Sequence, residues 1–413
     1  MSSLFKKFLG RLVTHGSLTL VEASGTRTDF GDGTGPHHTL VFHDERLPRD
    51  LFFNPELAFA ETYMAGRWHL EDGTLTGLLT LFFQNVEHGA IFGWRNTLRQ
   101  LLRKLHQRNT ARAARRNAHH HYDVGNDIYA LFLDEDWQYS CAYFADPGMS
   151  LEEAQRAKKR HIAAKLLLEP GQKVLDIGCG WGGMGLYLAN NAGVDVTGIT
   201  LADEQVARAS ERARGRQDVR FRLQDYRDTE GPFDRIVSVG MFEHVGVGFY
   251  GDYFAAAERL LADDGVMVLH SIGRMDPPGH TSPFIAKYIF PGGYIPALSE
   301  VLSTIERTGL YVTDVEIWRL HYAETLKAWH ERFEANRERV VALRDERFAR
   351  MWEFYLAGSE AAFRAGDMMV FQIQLSKSLH AVPLTRDYMV EAERRLAATD
   401  GPATRPTLVA RRG

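Results

Sequence analysis

Residues 173–183 read KVLDIGCGWGG, and residues 184–193 continue as MGLYLANNAG. A short apolar run ends at Asp176 and Ile177, a glycine-dense turn follows, and helix-forming Met, Leu and Ala then take over. Glycine at Gly178, Gly180, Gly182 and Gly183 lets the chain reverse tightly and lets backbone amides come close to a ligand. A glycine triplet alone is weak evidence, but the strand–turn–helix setting points to a nucleotide-like ligand. The same alternation continues on the C-terminal side. DVTGITL (195–201), VRFRLQD (219–225), FDRIVSVG (233–240) and GVMVLHSIG (265–273) are β-rich, and helical stretches such as DEQVARASERARG (203–215) separate them. Parallel strands require long crossovers, so this pattern predicts an α/β fold with a doubly wound parallel sheet. Beyond Ser271 the pattern loosens into an insertion containing FIAKYIFPGGYIP (284–296). A strand, YVTDVEIWRL (311–320), and a long helical C-terminus are expected after it.

The N-terminal side differs. GSLTLVEASGTRTDF (16–30) and HHTLVFH (37–43) alternate like strands, and PELAFAETYMAGRW (55–68) and TLTGLLTLFFQNV (74–86) read as helices with apolar faces. From His88 to Tyr122 there is no acidic residue. Arg95, Arg99, Arg103, Lys104, Arg108, Arg112, Arg115 and Arg116 are interleaved there with Ile91, Phe92, Trp94, Leu98 and Leu101. The predicted division is a small α+β unit at 1–90, a basic amphipathic linker at 91–118, a catalytic domain at 119–395 and a tail at 396–413.

At 413 residues, 45% hydrophobic and 25% charged, the chain has a globular composition, and its net charge of −4 excludes nucleic-acid binding by bulk charge. No apolar run approaches the roughly 20 residues that cross a bilayer. The start MSSLFKKFLGRLV lacks a secretory h-region, and two cysteines make no disulfide framework. A reducing cytoplasm is expected. His119, His120 and His121 are consecutive and point in different directions, so no metal site is expected.

The DxGxGxG form of 176–182 resembles motif I of class I S-adenosylmethionine (SAM)-dependent methyltransferases, whereas NAD sites use a wider GxGxxG turn. By that resemblance Gly178 and Gly180 line the amino-acid end of SAM and Asp176 supports it. With HYDVGND (121–127), YSCAY (139–143), LQDYRD (223–228), MFEHVG (241–246), LHSIG (269–273) and KYIFPGG (287–293), the chain resembles the cyclopropane-fatty-acyl-phospholipid synthases. The likeness includes NPELAFAETYMAGRW in the N-terminal unit, which mycolic-acid methyltransferases lack. It implies a class I SAM-methyltransferase Rossmann-like sheet with helical insertions, and SAM ligands at Tyr139, Ser140, Gly178, Gly180, Thr200, Gln205, Gln224 and Asp225. It also implies a bound bicarbonate acting as base, held by Cys141, Glu243, His270, Ile272 and Tyr322. A family cysteine in the C-terminal helical region is Ser359 here, which argues against a cysteine nucleophile at that place. A homodimer acting on unsaturated phospholipid acyl chains at the inner face of the cell membrane is the implied setting.

The residues support that chemistry independently. An isolated alkene is a poor nucleophile, so a sulfonium must supply the drive, and methyl transfer leaves a carbocation on the acyl chain. Aromatic faces that stabilise a cation are then needed, with Tyr139, Tyr143, Phe144, Tyr288 and Phe290 as candidates. A base is needed too, and Glu243 and His270 follow the ends of two successive strands. Glu243, His270 and Tyr322 could hold a small anion or act directly; with the bicarbonate that the resemblance implies, Glu243 is expected to accept a hydrogen bond from its OH, with His270, Tyr322 and the Ile272 amide donating. A structural Glu–His core pair is the plain alternative, and Cys141 reads equally as a small hydrophobe. Two segments suit an anionic membrane: the basic linker, and the N-terminal helix with Leu4, Phe5, Phe8, Leu9 and Leu12. A solvated face, or packing on the small unit, is the alternative for each. Rival functions are a methyl-branching or methylene-forming fatty-acyl methyltransferase, a small-amine N-methyltransferase and a non-catalytic lipid binder. A nucleic-acid methyltransferase would want a target-base loop of the NPPY type, and none is present.

Overall fold

The computed structural model describes residues 2–85 and 124–400. The basic linker, the three consecutive histidines and residues 401–413 of the expected tail lie outside the described residues.

The N-terminal unit begins with α1 (Ser2–Leu12), β1 (Ser17–Val21), β2 (Arg27–Phe30) and β3 (His37–Phe42). It continues through α2 (Leu47–Phe53), α3 (Pro55–Met64), β4 (Trp68–Asp72) and α4 (Leu75–Asn85). Its sheet has the order β2-β1-β3-β4, parallel only between β1 and β3. The expected helix over 55–68 stops at Met64, and Trp68 opens a short strand instead. Phe5, Leu9 and Val13 recur at helical spacing and are buried, and the Phe5 ring meets Phe42 at 5.9 Å. The apolar stripe of α1 is therefore spent on the small unit's core, and the packed-helix alternative replaces the membrane-facing one for this segment. Leu4 remains outside, about half exposed.

The second unit contains α5 (Asn126–Phe132), α6 (Leu151–Lys165), β5 (Lys173–Ile177), α7 (Gly183–Ala192), β6 (Asp195–Thr200), α8 (Asp203–Arg212) and β7 (Val219–Leu223). Then come β8 (Phe233–Val239), α9 (Tyr250–Leu260), β9 (Leu261–Arg274), α10 (Leu298–Ile305) and β10 (Tyr311–Trp318). The last are α11 (His321–Ala335), α12 (Arg337–Leu343), α13 (Glu346–Ala365), β11 (Met368–Ser376) and α14 (Asp387–Thr399). The sheet order is β10-β11-β9-β8-β5-β6-β7. The five strands expected from the glycine-turn pattern are all present and mutually parallel. The sheet as a whole is mixed, because β11 runs antiparallel between β9 and β10. This corrects the all-helical C-terminus. Phe371-Gln-Ile-Gln-Leu-Ser376 alternates with period two, the signature of a strand, and both its faces are buried.

One apolar cluster runs through both units. Leu78 and Leu79 of α4 and Ala60 and Met64 of α3 belong to the same core as Trp352, Leu356 and Ala357 of α13. The N-terminal unit is thus cemented to the helices that roof the sheet. No helix among the described residues is long and apolar enough to cross a membrane.

Candidate active site

Two adjoining cavities open at the carboxyl ends of the parallel strands, where ligands of open α/β sheets bind. The smaller, of about 170 Å³, is lined by all nine residues expected to hold the cofactor: Tyr139, Ser140, Asp176, Gly178, Gly180, Thr200, Gln205, Gln224 and Asp225. At the turn, Gly178 and Gly180 have φ of 82° and 53°. A Cβ on Gly178 would lie 2.7 Å from the Met241 Cβ, whereas one on Gly180 would meet nothing within 4 Å. The first glycine is required by packing, and the second leaves an open cradle for a ligand. Asp176 is fully buried, with Oδ2 lacking a hydrogen-bond partner among the described residues. Burial pushes its carboxyl up to about 7, against the opposing pull of Lys158. An orphaned acidic oxygen beside an open glycine cradle fits a ligand with a cationic amino-acid end.

Thr200 donates to Gln205 Oε1 at 2.7 Å, which leaves the amide NH2 as the Gln205 donor. At the third strand end, Gln224 Nε2 donates to the Asp228 carbonyl at 3.0 Å. The Asp225 carboxylate accepts from Arg227 Nη2 at 2.6 Å and from the Arg227 amide at 3.0 Å. Asp225 therefore reaches the cavity already paired with Arg227, a lining residue the sequence reading did not name.

Sequence reasoning also missed what holds Tyr139 and Ser140. LEEAQRAKKRHIAAK is rich in charged residues, yet α6 buries Gln155, Lys158 and Lys165. Lys158 Nζ donates to Gln138 Oε1 at 2.6 Å and Ser140 Oγ at 2.8 Å, and Gln155 Nε2 donates to the Ser140 carbonyl at 2.9 Å. The Tyr139 ring stacks on Trp329 at 5.2 Å, and its hydroxyl meets that of Tyr355 at 2.9 Å.

The larger cavity, of about 570 Å³, is lined by Cys141, Glu243, His270, Ile272 and Tyr322 together. Tyr139, Ser140, Gly240 and His244 line both cavities. Residues separated by as much as 181 positions in sequence thus converge on one chamber, since Cys141 and Tyr322 bound the set. Glu243 is buried, and burial pushes its carboxyl up to about 7, with the Ile272 amide pulling the other way. That amide donates to Glu243 Oε1 at 2.7 Å, so the expectation that it donates to an anion is corrected: Ile272 holds the carboxylate instead. Oε2 of Glu243 has no hydrogen-bond partner among the described residues. Burial holds His270 well below its ordinary value, so its ring is neutral. Burial raises the Cys141 thiol far above its usual range, and Sγ approaches the Ala142 carbonyl at 3.3 Å. This cysteine is a small buried hydrophobe, not a thiolate.

Of the proposed aromatic faces, Tyr139 and Phe290 line the larger cavity. Tyr143 does not: it stacks between His161 at 4.5 Å and His321 at 4.8 Å. Phe144 lies beyond the cavity wall with its amide bonded to His321, and the Tyr288 hydroxyl donates to Glu61. Phe284, Tyr322, Tyr355 and Phe363 take their places in the wall, and Ser359 lines it too. Helix α13 carries Tyr355, Ser359 and Phe363 at spacings of four, one face of a helix. Leu79 and Phe83 of α4 complete the apolar lining from the N-terminal unit. Elsewhere, His330, Glu334 and Glu353 lie close together, but Arg337 donates to both carboxylates at 2.9 Å and makes the group an ion-pair cluster.

Residues 109–373 match the sequence profile described as mycolic acid cyclopropane synthetase. The chain belongs to this family. It is 40% identical to the cyclopropane-fatty-acyl-phospholipid synthase of Escherichia coli over 353 residues, 84% of this chain and 90% of the relative. It is 37% identical to the tuberculostearic acid methyltransferase of Mycobacterium tuberculosis over 389 residues, 90% of each. Among solved structures, a cyclopropane synthase from M. tuberculosis superposes with a TM-score of 0.61 at 36% identity, covering 64% of this chain and 98% of that one. A mycolic acid cyclopropane synthase complexed with SAH and CTAB gives a TM-score of 0.60 at 36% identity, covering 63% of this chain and 97% of that one. The cyclopropane synthetase family member described here thus carries a SAM-methyltransferase fold, with an N-terminal unit outside the residues that the profile matches.

Proposed function

We propose that the chain transfers a one-carbon unit from SAM to the cis double bond of an unsaturated phospholipid acyl chain and closes a cyclopropane ring. The observation that carries this reading is the junction of the two cavities. A glycine cradle with an orphaned aspartate meets a large apolar chamber at Tyr139 and Ser140, and the chamber holds Glu243, His270 and Tyr322. SAM supplies an electrophilic methyl group on sulfur. The chain's own residues do the rest. Leu79, Phe83, Leu326 and Phe354 shape an apolar slot for a hydrocarbon, a lining that suits an acyl chain better than a small amine. Tyr139, Tyr355, Phe290 and Phe363 face the developing carbocation, each aromatic face contributing ~0.5–2 kcal/mol. Glu243 Oε2, His270 and Tyr322 form a mixed acceptor and donor set of the kind that holds bicarbonate, which would supply the base for the proton lost from the added methyl. A bare carboxylate would repel an anion, so Glu243 accepts the bicarbonate hydroxyl while His270 and Tyr322 donate. Ring closure consumes the electrons of the broken C–H bond.

The likeness to the tuberculostearic acid methyltransferase, as long as that to the E. coli synthase, supports a second reading with a methyl-branched product. The two differ in where the proton leaves. Gas chromatography–mass spectrometry of fatty acids from cells expressing the protein separates them. A product one CH2 heavier than the monounsaturated parent and resistant to hydrogenation marks the ring; a branched or hydrogenation-sensitive product overturns the first reading, and unchanged lipids overturn both.

Peripheral contact with an anionic membrane, homodimer formation and work at the cytoplasmic face belong to the same proposal. The acid-free stretch from 88 to 122 and the exposed Phe52 and Phe53 of the N-terminal unit support the membrane contact.

A further inference from the structure

A row of polar side chains crosses the buried sheet beside the chamber. Glu316 on β10 stands directly opposite Gln372 on β11, and Gln372 directly opposite His270 on β9. Directly opposed residues put their side chains on the same face of a sheet, so the three form one rung. Lys165, from α6, lies over the rung. Its Nζ donates to Gln372 Oε1 at 2.7 Å and pairs with the Glu316 carboxylate. Gln372 Nε2 lies 3.0 Å from His270 Nδ1. His161 Nε2 meets Glu316 at 2.8 Å at the outer end. Gln372 and Lys165 are each 1% exposed and His270 is 2% exposed, so water does not arbitrate among their donors and acceptors.

The chemistry of these groups leaves one arrangement. An ammonium has donors only, so the amide oxygen must face Lys165 and the amide nitrogen must face His270. An amide NH2 donates, so Nδ1 of His270 must be the bare, accepting nitrogen. The ring is neutral, and its single N–H is then at Nε2. The opposite tautomer would set one N–H against another inside the sheet and leave buried polar groups unpaired. Burial opposes ionisation of Glu316, but His161 and Lys165 hold its carboxyl far below the usual range. Burial lowers the Lys165 ammonium, and the Glu316 carboxylate paired with it works against that loss of charge.

We infer that Gln372, Lys165 and Glu316 are positioning residues that lock His270 as an Nε2–H donor toward the chamber. His270 then holds an anion or a polar oxygen and does not collect the substrate proton, because its only free lone pair is engaged by Gln372. The inference rests on the reading of the chamber as a deprotonation site, and its structural half can be tested without that reading.

The test uses the full-length chain with 15N-labelled histidine. Long-range 15N–1H spectra report which ring nitrogen carries hydrogen, and His270→Gln identifies the His270 signals among the 17 histidines. The expected spectrum shows a protonated Nε2 and a bare Nδ1 at pH 7. In Gln372→Glu, a carboxylate facing the ring draws hydrogen onto Nδ1, so the pattern reverses or both nitrogens become protonated. Turnover of Gln372→Glu falls at least tenfold with the KM for SAM unchanged, since the cofactor cavity is untouched. Gln372→Met, similar in shape, falls less and shows mixed tautomers. Wild-type His270 with hydrogen on Nδ1, or Gln372→Glu with wild-type turnover, overturns the lock. A correct tautomer in a protein whose rate ignores added bicarbonate leaves the lock standing and removes bicarbonate as the base.

Discussion

Replacing Glu243 by glutamine should stabilise the fold at alkaline pH while it abolishes turnover. The Glu243 carboxyl ordinarily titrates near 4.5 and is pushed up to about 7 by burial. The folded state therefore holds this proton more tightly than the unfolded chain does. Between pH 4.5 and 7 the unfolded state binds fewer protons, so stability falls as pH rises through that window and stays reduced above it. The full penalty is about 3 kcal/mol. Glutamine carries no charge and escapes it. Its amide oxygen still accepts from the Ile272 amide at the place of Oε1, as the protonated carboxyl does at low pH. At the place of Oε2, one unsatisfied polar atom replaces another. Glu243→Gln is thus expected to be about 3 kcal/mol more stable than wild type at pH 8 and about as stable as wild type at pH 4.5, where the folded protein holds Glu243 protonated and equally uncharged. Urea unfolding of both proteins at the two pH values measures the difference, and every other titrating group cancels between them. A difference independent of pH, or a variant less stable than wild type at pH 8, would refute the argument. Near-normal turnover of the variant would separately remove Glu243 from the proton-transfer machinery.

Gly178→Ala should lose both stability and SAM affinity, because the new Cβ lies 2.7 Å from that of Met241 at a φ of 82°. Gly171→Ala has nearly the same φ with nothing within 4 Å, so it carries backbone strain alone. Calorimetric SAM titration of the pair should show loss only at Gly178, whose Cβ would displace Met241 in the wall of the cofactor cavity, and equal affinities would refute that coupling. Replacing Arg99, Arg103, Lys104 and Arg108 with glutamine should weaken sedimentation with anionic vesicles by ~1 kcal/mol per residue at low salt. Raised salt should do the same to the unaltered protein, and binding indifferent to both would discard the electrostatic docking.

Much of the site is legible along the chain because its signals are local. The strand–glycine–helix passage at 173–193 needs no distant partner to be read, and its five parallel strands are where the alternation puts them. Glu243 sits just past the end of β8, and His270 lies within β9, level with Val239, the last residue of β8, near the end of the sheet that presents side chains to a ligand. Strand β11 was equally local in its Phe-Gln-Ile-Gln-Leu-Ser alternation, but it follows a 20-residue helix whose pattern overshadows it.

By itself the sequence determined the α/β class, the cofactor turn and the residue types gathered around a carbocation. Tertiary structure alone decided that Lys158 is buried to hold Ser140, that Ile272 serves Glu243, that Tyr143 faces away from the chamber, and that α1 spends its apolar stripe on the core. The physical reason is the same each time. A polar or aromatic side chain is assigned by what it meets, and Lys165 meets Gln372 across 207 positions of sequence. Periodicity records which way a side chain points along its own element, while the partner that sets its proton, its burial or its charge arrives only when the sheet closes.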